Sequence, residues 1–380
     1  MIGARRTARR RSSRAELSFV DLFAGCGGLA LGFVQAGFDP AAAVEMERDA
    51  TTTYRINIDD RIFPEDIAAV NGRGAWPKAR VLVGGPPCQG FSQLGTREPG
   101  DPRNGLWREY LKALDETDAE FFVMENVPQL LKSDQFKLFC KAATGADRGF
   151  QITASVLCSA DYGVPQMRFR AIVFGWKKRN PWLPLPTHGP NSPSGLPYVT
   201  VRQALRDLPA HPDGRNWHRD RPHIRDQSIV RYRAVPSDGG NRFQMQAALE
   251  AKGLGDLVPA CWRRKTVGTT DVFGRLWWDR PAVTVRTEFY KPEKGRYLHP
   301  EELRPLTIRE AARLQSFPDS FHFPENQSMV SVARQIGNAV PPRLAYILAQ
   351  AVKAQVTETS VASDTLGQDS TAGQLQLVAS

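Results

Sequence analysis

Cysteine and long apolar stretches are what this chain of 380 residues has least of. Its five cysteines (26, 88, 140, 158 and 261) are odd in number and scattered, which argues against a disulfide framework and for a reducing cytosol. No CxxC pair and no HExxH occurs, so no metal site is expected. No run of about 18 apolar residues is present, so no membrane-spanning helix is expected. The arginine-rich N-terminus lacks the apolar stretch of a secretory signal, and there is no internal repeat. The remaining composition, 41% hydrophobic and 24% charged, is that of a globular chain with room for roughly two or three domains.

Positive charge is present in excess but unevenly. Of the net +10, residues 1–16 contribute +5 through six arginines and one glutamate. Residues 177–266 contribute +9, with 16 Lys/Arg against seven Asp/Glu, so the rest of the chain is net −4. Basicity concentrated in one internal block fits a polyanion-binding surface, with nucleic acid the first candidate, or an ordinary solvated basic face.

From residue 17 the pattern alternates between short apolar runs and helical spacing. The runs at 18–23, 41–44, 81–83, 121–124 and 171–174 read as buried strands. Strands separated by helices predict an α/β fold, a Rossmann-like and mostly parallel sheet with functional loops at the carboxyl ends of its strands. The expected divisions are a disordered basic arm (1–16), a catalytic domain (17–176), a smaller irregular region (177–300, core 177–266), a return to the first domain (301–354) and a disordered tail (355–380). In the irregular block only 199–208 shows periodicity. Thr307 followed by Glu310 is a capping box that starts a helix through Gln315.

Four segments carry chemistry. Phe23-Ala-Gly25-Cys-Gly27-Gly28 is a tight glycine turn between a strand and a helix, open to close approach by a ligand. Glu45, 18 residues beyond Gly27, ends the next strand, where a carboxylate accepts hydrogen bonds from ribose hydroxyls. The loop also satisfies a loose G-x-G-x-x-A, so a nicotinamide dinucleotide site is an alternative. Met46 is placed to cover an adenine or to fill the core; Asp66 is placed to bind an adenine amine or to cap the helix after it.

Cys88, in Gly84-Gly85-Pro86-Pro87-Cys88-Gln89, sits on a rigid turn just past a strand and is a candidate nucleophile. The other cysteines suit small buried hydrophobes. Cysteine-protease chemistry needs a histidine partner, and the six histidines lie mostly in the irregular block. Glu125, at the end of an apolar strand, is a desolvated acid suited to sharing a proton with a ring nitrogen. Alternation of Gln166, Arg168 and Arg170 predicts three polar side chains on one face, suited to a pyrimidine carbonyl and phosphates.

Together these segments resemble the DNA cytosine-5 methyltransferase family of the bacterial restriction-modification type. The glycine loop is similar to its S-adenosylmethionine loop, and Pro86-Pro87-Cys88-Gln89 to its nucleophile loop. Glu125-Asn126-Val127 and Gln166-x-Arg168-x-Arg170 resemble its cytosine-contacting motifs. Arg309-Glu310-Ala-Ala-Arg313-Leu-Gln315 and Gln335-Ile-Gly337-Asn338-Ala339-Val340-Pro341-Pro342 resemble its last two. The order is the family's, across about residues 17–352, and the basic block falls in the family's variable target-recognition region. Where the family has an aromatic residue beside the ribose-binding acid, this chain has Met46.

The resemblance implies S-adenosyl-L-methionine as cofactor, held by Phe23, Gly25, Gly27, Gly28, Leu29, Glu45, Met46, Asp66, Ile67, Pro86, Asn338 and Val340. It implies Cys88, Glu125, Arg168 and Arg170 as catalytic, with attack of Cys88 on C6 of a flipped-out cytosine and residues 89–104 as a lid. It further implies double-stranded DNA as partner, a monomer in the bacterial cytosol near the nucleoid, and a cognate restriction endonuclease. An NAD-dependent oxidoreductase, a non-catalytic DNA-binding relative and a tRNA methyltransferase are the competing readings.

Overall fold

The computed structural model describes residues 17–87, 105–219, 224–263 and 271–361. The arginine arm 1–16, Cys88 with the expected lid 89–104, and residues 362–380 lie outside them.

In chain order the elements are β1 (Ser18–Leu22), α1 (Gly28–Gln35), β2 (Asp39–Val44), α2 (Arg48–Asn57), β3 (Ile62–Phe63), α3 (Ile67–Val70), β4 (Val81–Gly84), α4 (Leu106–Thr117) and β5 (Phe121–Asn126). Then follow α5 (Asp134–Thr144), β6 (Gln151–Cys158), β7 (Gln166–Met167), β8 (Phe169–Trp176), α6 (Val201–Leu205), α7 (Asp226–Ala234) and α8 (Arg242–Ala251). Last come α9 (Ala260–Arg263), β9 (Ala282–Val283), α10 (Ile308–Leu314), α11 (Met329–Asn338) and α12 (Pro342–Val361). Two compact units emerge. The first comprises residues 1–158, 169–186 and 342–380, and the second residues 159–168 and 187–341.

The first unit is built on a seven-stranded sheet of order β3-β2-β1-β4-β5-β8-β6. Pairings from β3 across to β5 are parallel, whereas β8 runs antiparallel to both β5 and β6. This is the mostly parallel α/β sheet expected from sequence, with an antiparallel edge. The strand order reverses between β1 and β4, the switch point where open α/β sheets bind ligands. One face packs Tyr110, Phe122, Phe139 and Phe150 edge to face. A Cβ at Gly175 would stand only 1.9 Å from the Phe122 ring. On the other face α12 crosses α1 at Gly32, where a Cβ would lie 2.4 Å from the Tyr346 nitrogen. The helix runs to Val361, so the first residues of the tail expected from 355 are helical.

The second unit has its own small core of Tyr232, Val235, Met245, Leu249, Val258, Phe273 and Leu298. It includes 301–341, a stretch that the boundaries expected from sequence place with the first domain; of the chain beyond 301, α12 belongs to the first unit. Thr307 and Glu310 form the expected capping box, with Thr307 Oγ1 accepting from the Glu310 amide at 3.1 Å and the Glu310 carboxylate accepting from the Thr307 amide at 2.7 Å. A second capping box, Asn241 with Gln244, starts α8 inside the block read as irregular. Among the described residues no helix is long and apolar enough to cross a membrane.

Candidate active site

Two clusters form at the carboxyl edge of the first unit's sheet. The first begins where β1 ends. The chain turns through Phe23 (φ 56°), Gly25 (φ 55°) and Gly27 (φ 96°) before α1. Left-handed backbone is cheap at the glycines and strained at Phe23. A Cβ at Gly25 would meet nothing within 4 Å, whereas one at Gly27 would stand 2.7 Å from Ile58 Cγ1. Gly27 therefore serves packing, and Gly25 leaves open space above the loop. Gly28 opens α1, and the Leu29 side chain is buried behind it.

The Gly25 amide donates to Oε2 of Glu45 at 2.9 Å, and the Glu47 amide donates to Oε1 at 2.8 Å. Glu45 thus stands at the end of β2, held by main chain, with lone pairs left on both oxygens. Burial raises its pKa above the ordinary carboxylate value, opposed by those amide bonds. Met46 beside it is 66% exposed, so it is not core and its thioether is available to a ligand. Asp66 caps α3, its Oδ1 accepting from the Ala68 amide at 2.9 Å, and Ile67 packs in the core.

Asp21, inside β1 beneath this loop, was not singled out from sequence. It is 1% exposed, and among the described residues neither its carboxylate oxygens nor the Tyr54 hydroxyl has a hydrogen-bond partner. Burial, and secondarily the Glu45 charge, push its pKa well above the ordinary range. Burial also pushes the Cys26 thiol up to about 12 and Cys140 up to about 11, so neither is an activated nucleophile.

The second cluster joins β4, β5 and β8. Because β8 is antiparallel to β5, with Ala171 opposite Asn126, Arg170 reaches the same end of the sheet as Glu125. Its Nε lies 2.9 Å from Glu125 Oε1, and its Nη1 donates to the Phe169 carbonyl at 2.8 Å. On the other side of the carboxylate, a Cβ at Gly85 would stand 3.2 Å from Oε2, so only glycine leaves the acid undisturbed there. Asn126 Nδ2 donates to the Pro86 carbonyl at 2.8 Å. An oriented acid, its guanidinium partner and the turn leading to Cys88 are thereby brought together.

Gln166 and Arg168 do not share a face with Arg170. The strand breaks at Arg168: β7 pairs with β9 and β8 with β5 and β6. Arg168 is 1% exposed, its guanidinium donating to the carbonyls of Val285 (3.2 Å) and Gly337 (3.0 Å). Gln166 bonds the Val285 amide at 2.8 Å and Gln315 at 2.6 Å. Both brace the second unit. Asn338, exposed at the end of α11, and buried Val340 also belong to that unit.

The first cluster fits the nucleoside half of S-adenosylmethionine. A carboxylate fixed by two amides keeps acceptor capacity for vicinal hydroxyls, an open space lies over Gly25, and an exposed thioether stands alongside. A pyrophosphate would also meet this loop, but the acid–guanidinium cluster and the cysteine turn have no part in dinucleotide chemistry.

The model of the C-5 cytosine-specific DNA methylase family matches residues 17–354. The chain is 34% identical over 350 residues to the type II methyltransferase M1.HphI of Haemophilus parahaemolyticus, covering 88% of this chain and 86% of that one. It is 32% identical over 345 residues to the type II methylase M.HgiDII of Herpetosiphon aurantiacus, covering 88% and 94%. Among solved structures it is similar to a DNA modification methyltransferase encoded within an Escherichia coli prophage, with a TM-score of 0.62 and 27% identity over 90% of this chain and 99% of the other.

Proposed function

The chain belongs to the C-5 cytosine-specific DNA methylase family and is a DNA (cytosine-5-)-methyltransferase; from that premise we propose that it uses S-adenosylmethionine and a covalent cysteine mechanism on a flipped-out base. The observation that carries this reading is the carboxyl edge of one sheet holding both Glu45, on the glycine loop, and the Glu125–Arg170 pair beside the Gly85–Pro87 turn.

Glu45, the Gly25 loop and Met46 hold the cofactor, with Asp66 beside them. Bound there, S-adenosylmethionine supplies an electrophilic methyl group. Cys88 adds as thiolate to C6 of the cytosine, which makes C5 nucleophilic. Glu125 bonds N3 and the exocyclic amine, stabilising the charge that develops during attack. Arg170 keeps Glu125 oriented and reaches O2, while Arg168 braces the segment that precedes it. After transfer, loss of the C5 proton and of Cys88 releases the base. Extruding that base costs a few kcal/mol, which protein contacts offset.

The basic block 177–266 reads the duplex. Arg206, Arg215, Arg225 and Arg233 are exposed there, suited to phosphates and base edges. The protein acts on double-stranded DNA as a monomer, at the nucleoid of a bacterial cytosol, and protects its site against a cognate restriction endonuclease. Bisulfite sequencing of DNA from cells expressing the chain tests the reading. Protected cytosines within one short recurring sequence are expected, and none in cells expressing Cys88→Ser. An unmodified genome beside methylated tRNA would contradict it.

A further inference from the structure

Six arginines are buried among the described residues: Arg168, Arg242, Arg275, Arg296, Arg304 and Arg309. Five of them bond protein oxygens, as Arg275 bonds the carbonyls of Val235 and Tyr232 and Arg304 the Glu310 carboxylate. Arg242 differs. It is only 4% exposed, yet its Nε is enclosed with no hydrogen-bond partner among the described residues. Acids of the surrounding segments are engaged elsewhere. Asp238 accepts from the Trp278 amide at 2.7 Å, Asp256 pairs with Arg263 at 3.0 Å and Asp271 with Arg296 at 3.3 Å. What lies against the Arg242 guanidinium is aromatic. Its central carbon is 4.4 Å from the centre of the Phe243 ring and 5.9 Å from that of Trp262. Contact with a ring face holds the charge without using an N–H.

Arg242 is also the first residue of the ten-residue helix α8. The first-turn amides there lack carbonyl partners, and the helix dipole adds positive potential. The cap serves three of them. Asn241 Oδ1 accepts from the Phe243 and Gln244 amides at 3.0 and 3.3 Å, and Gln244 Oε1 accepts from the Asn241 amide at 3.0 Å. The Arg242 amide lies outside that arrangement. A cation at this end of a helix is unfavourable, and an unpaired one in an aromatic enclosure is more so. Both penalties reverse when an oxyanion joins it, because the fork of the guanidinium and the helix start then act on the same negative charge.

We propose that Arg242 and the first turn of α8 form a preformed site for one backbone phosphate of the DNA duplex. The inference rests on the function proposed above. It adds to the exposed arginines of the basic block one whose position is set before binding. A phosphate contact carries no base information, so the site fixes how the duplex lies rather than which sequence is read.

The test compares the full-length protein with Arg242→Met, whose side chain fills the same aromatic enclosure without charge. Two duplexes are used, one carrying the sequence located by bisulfite sequencing and one lacking it, and affinity is followed by anisotropy over a range of salt. The slope of log affinity against log salt should be about 0.9 shallower in the variant for both duplexes, the signature of one lost phosphate contact. The ratio between the two duplexes should not change. Without DNA, Arg242→Met should melt at or above the parent, since an unpaired buried charge is removed. A lower melting temperature would make Arg242 a structural arginine, a changed ratio would make it a base reader, and an unchanged slope would leave it without a phosphate; each overturns the proposal. Inorganic phosphate supplies a second arm. If it raises the melting temperature of the parent alone while the duplex slopes agree, the anion is a free one and the DNA assignment falls. If the parent binds neither duplex, the proposed function itself fails, which separates that failure from this one.

Discussion

Glu45 and Glu125 stand at equivalent places, the carboxyl ends of β2 and β5, yet are held by opposite means. Glu45 is fixed by main-chain amides of the glycine loop and of its own turn. Glu125 is held by side-chain chemistry, an ion pair with the Arg170 guanidinium, in space that Gly85 leaves free by having no Cβ. A backbone-held acid survives most single substitutions around it and retains lone pairs for a ligand that only has to bind. A side-chain-held acid can be unseated by one substitution, but its partner can follow the charge that builds on a reacting ring. On the function proposed above, binding and chemistry are separated by how each acid is supported.

Substitutions that break one support and spare the other sharpen this contrast. The largest effect is expected for Arg170→Ala, which leaves Glu125 without its cation. Methyl transfer should fall by about 10²–10³-fold, the usual cost of removing one preorganised charge-stabilising donor. Cofactor affinity, measured by calorimetry, should not change. Equal losses in both would show that the two clusters are one. Next, Glu45→Ala should weaken S-adenosylmethionine by about 1–3 kcal/mol through lost charged hydrogen bonds. The maximal rate at saturating cofactor should be nearly retained, and a fall in DNA affinity instead would reassign this strand end.

The smallest effect concerns Asp21, the enclosed acid under the glycine loop. Its pKa is raised on folding, so the stability it gives is complete below the unfolded aspartate value and is lost as pH rises through the folded one. Asparagine cannot ionise. Asp21→Asn should therefore melt with the parent at low pH and about 2–4 °C above it at neutral pH, equivalent to about 1 kcal/mol in a domain of 150–250 residues. Identical melting at both pH values would show that Asp21 ionises without penalty.

Much of the sheet was legible because buried parallel strands are continuous apolar runs. The runs at 81–83 and 121–124 lie within β4 and β5. Strand β6 was missed because it is an edge strand with half-exposed residues such as Val156, which blurs its pattern. The antiparallel run of β8 was not legible either, since direction is a property of connection rather than of composition. Glu45 and Glu125 were legible as carboxylates at the carboxyl ends of strands, Glu45 just past β2 and Glu125 in the last residues of β5. Arg168 was not, because regular alternation from 166 to 170 assumes one strand where the structure has two. The hydrogen bond from Asn126 to the Pro86 carbonyl was not legible either, because it appears only when β4 and β5 are paired.

The central claim, a covalent cysteine mechanism on cytosine, is tested most directly by mapping the 5-fluorocytosine adduct by peptide mass spectrometry. The expected result is a nucleotide-bearing peptide containing Cys88, formed only with S-adenosylmethionine present and absent from Cys88→Ser. An adduct on Cys26, Cys140, Cys158 or Cys261, or methylation that continues in the serine variant, would contradict it.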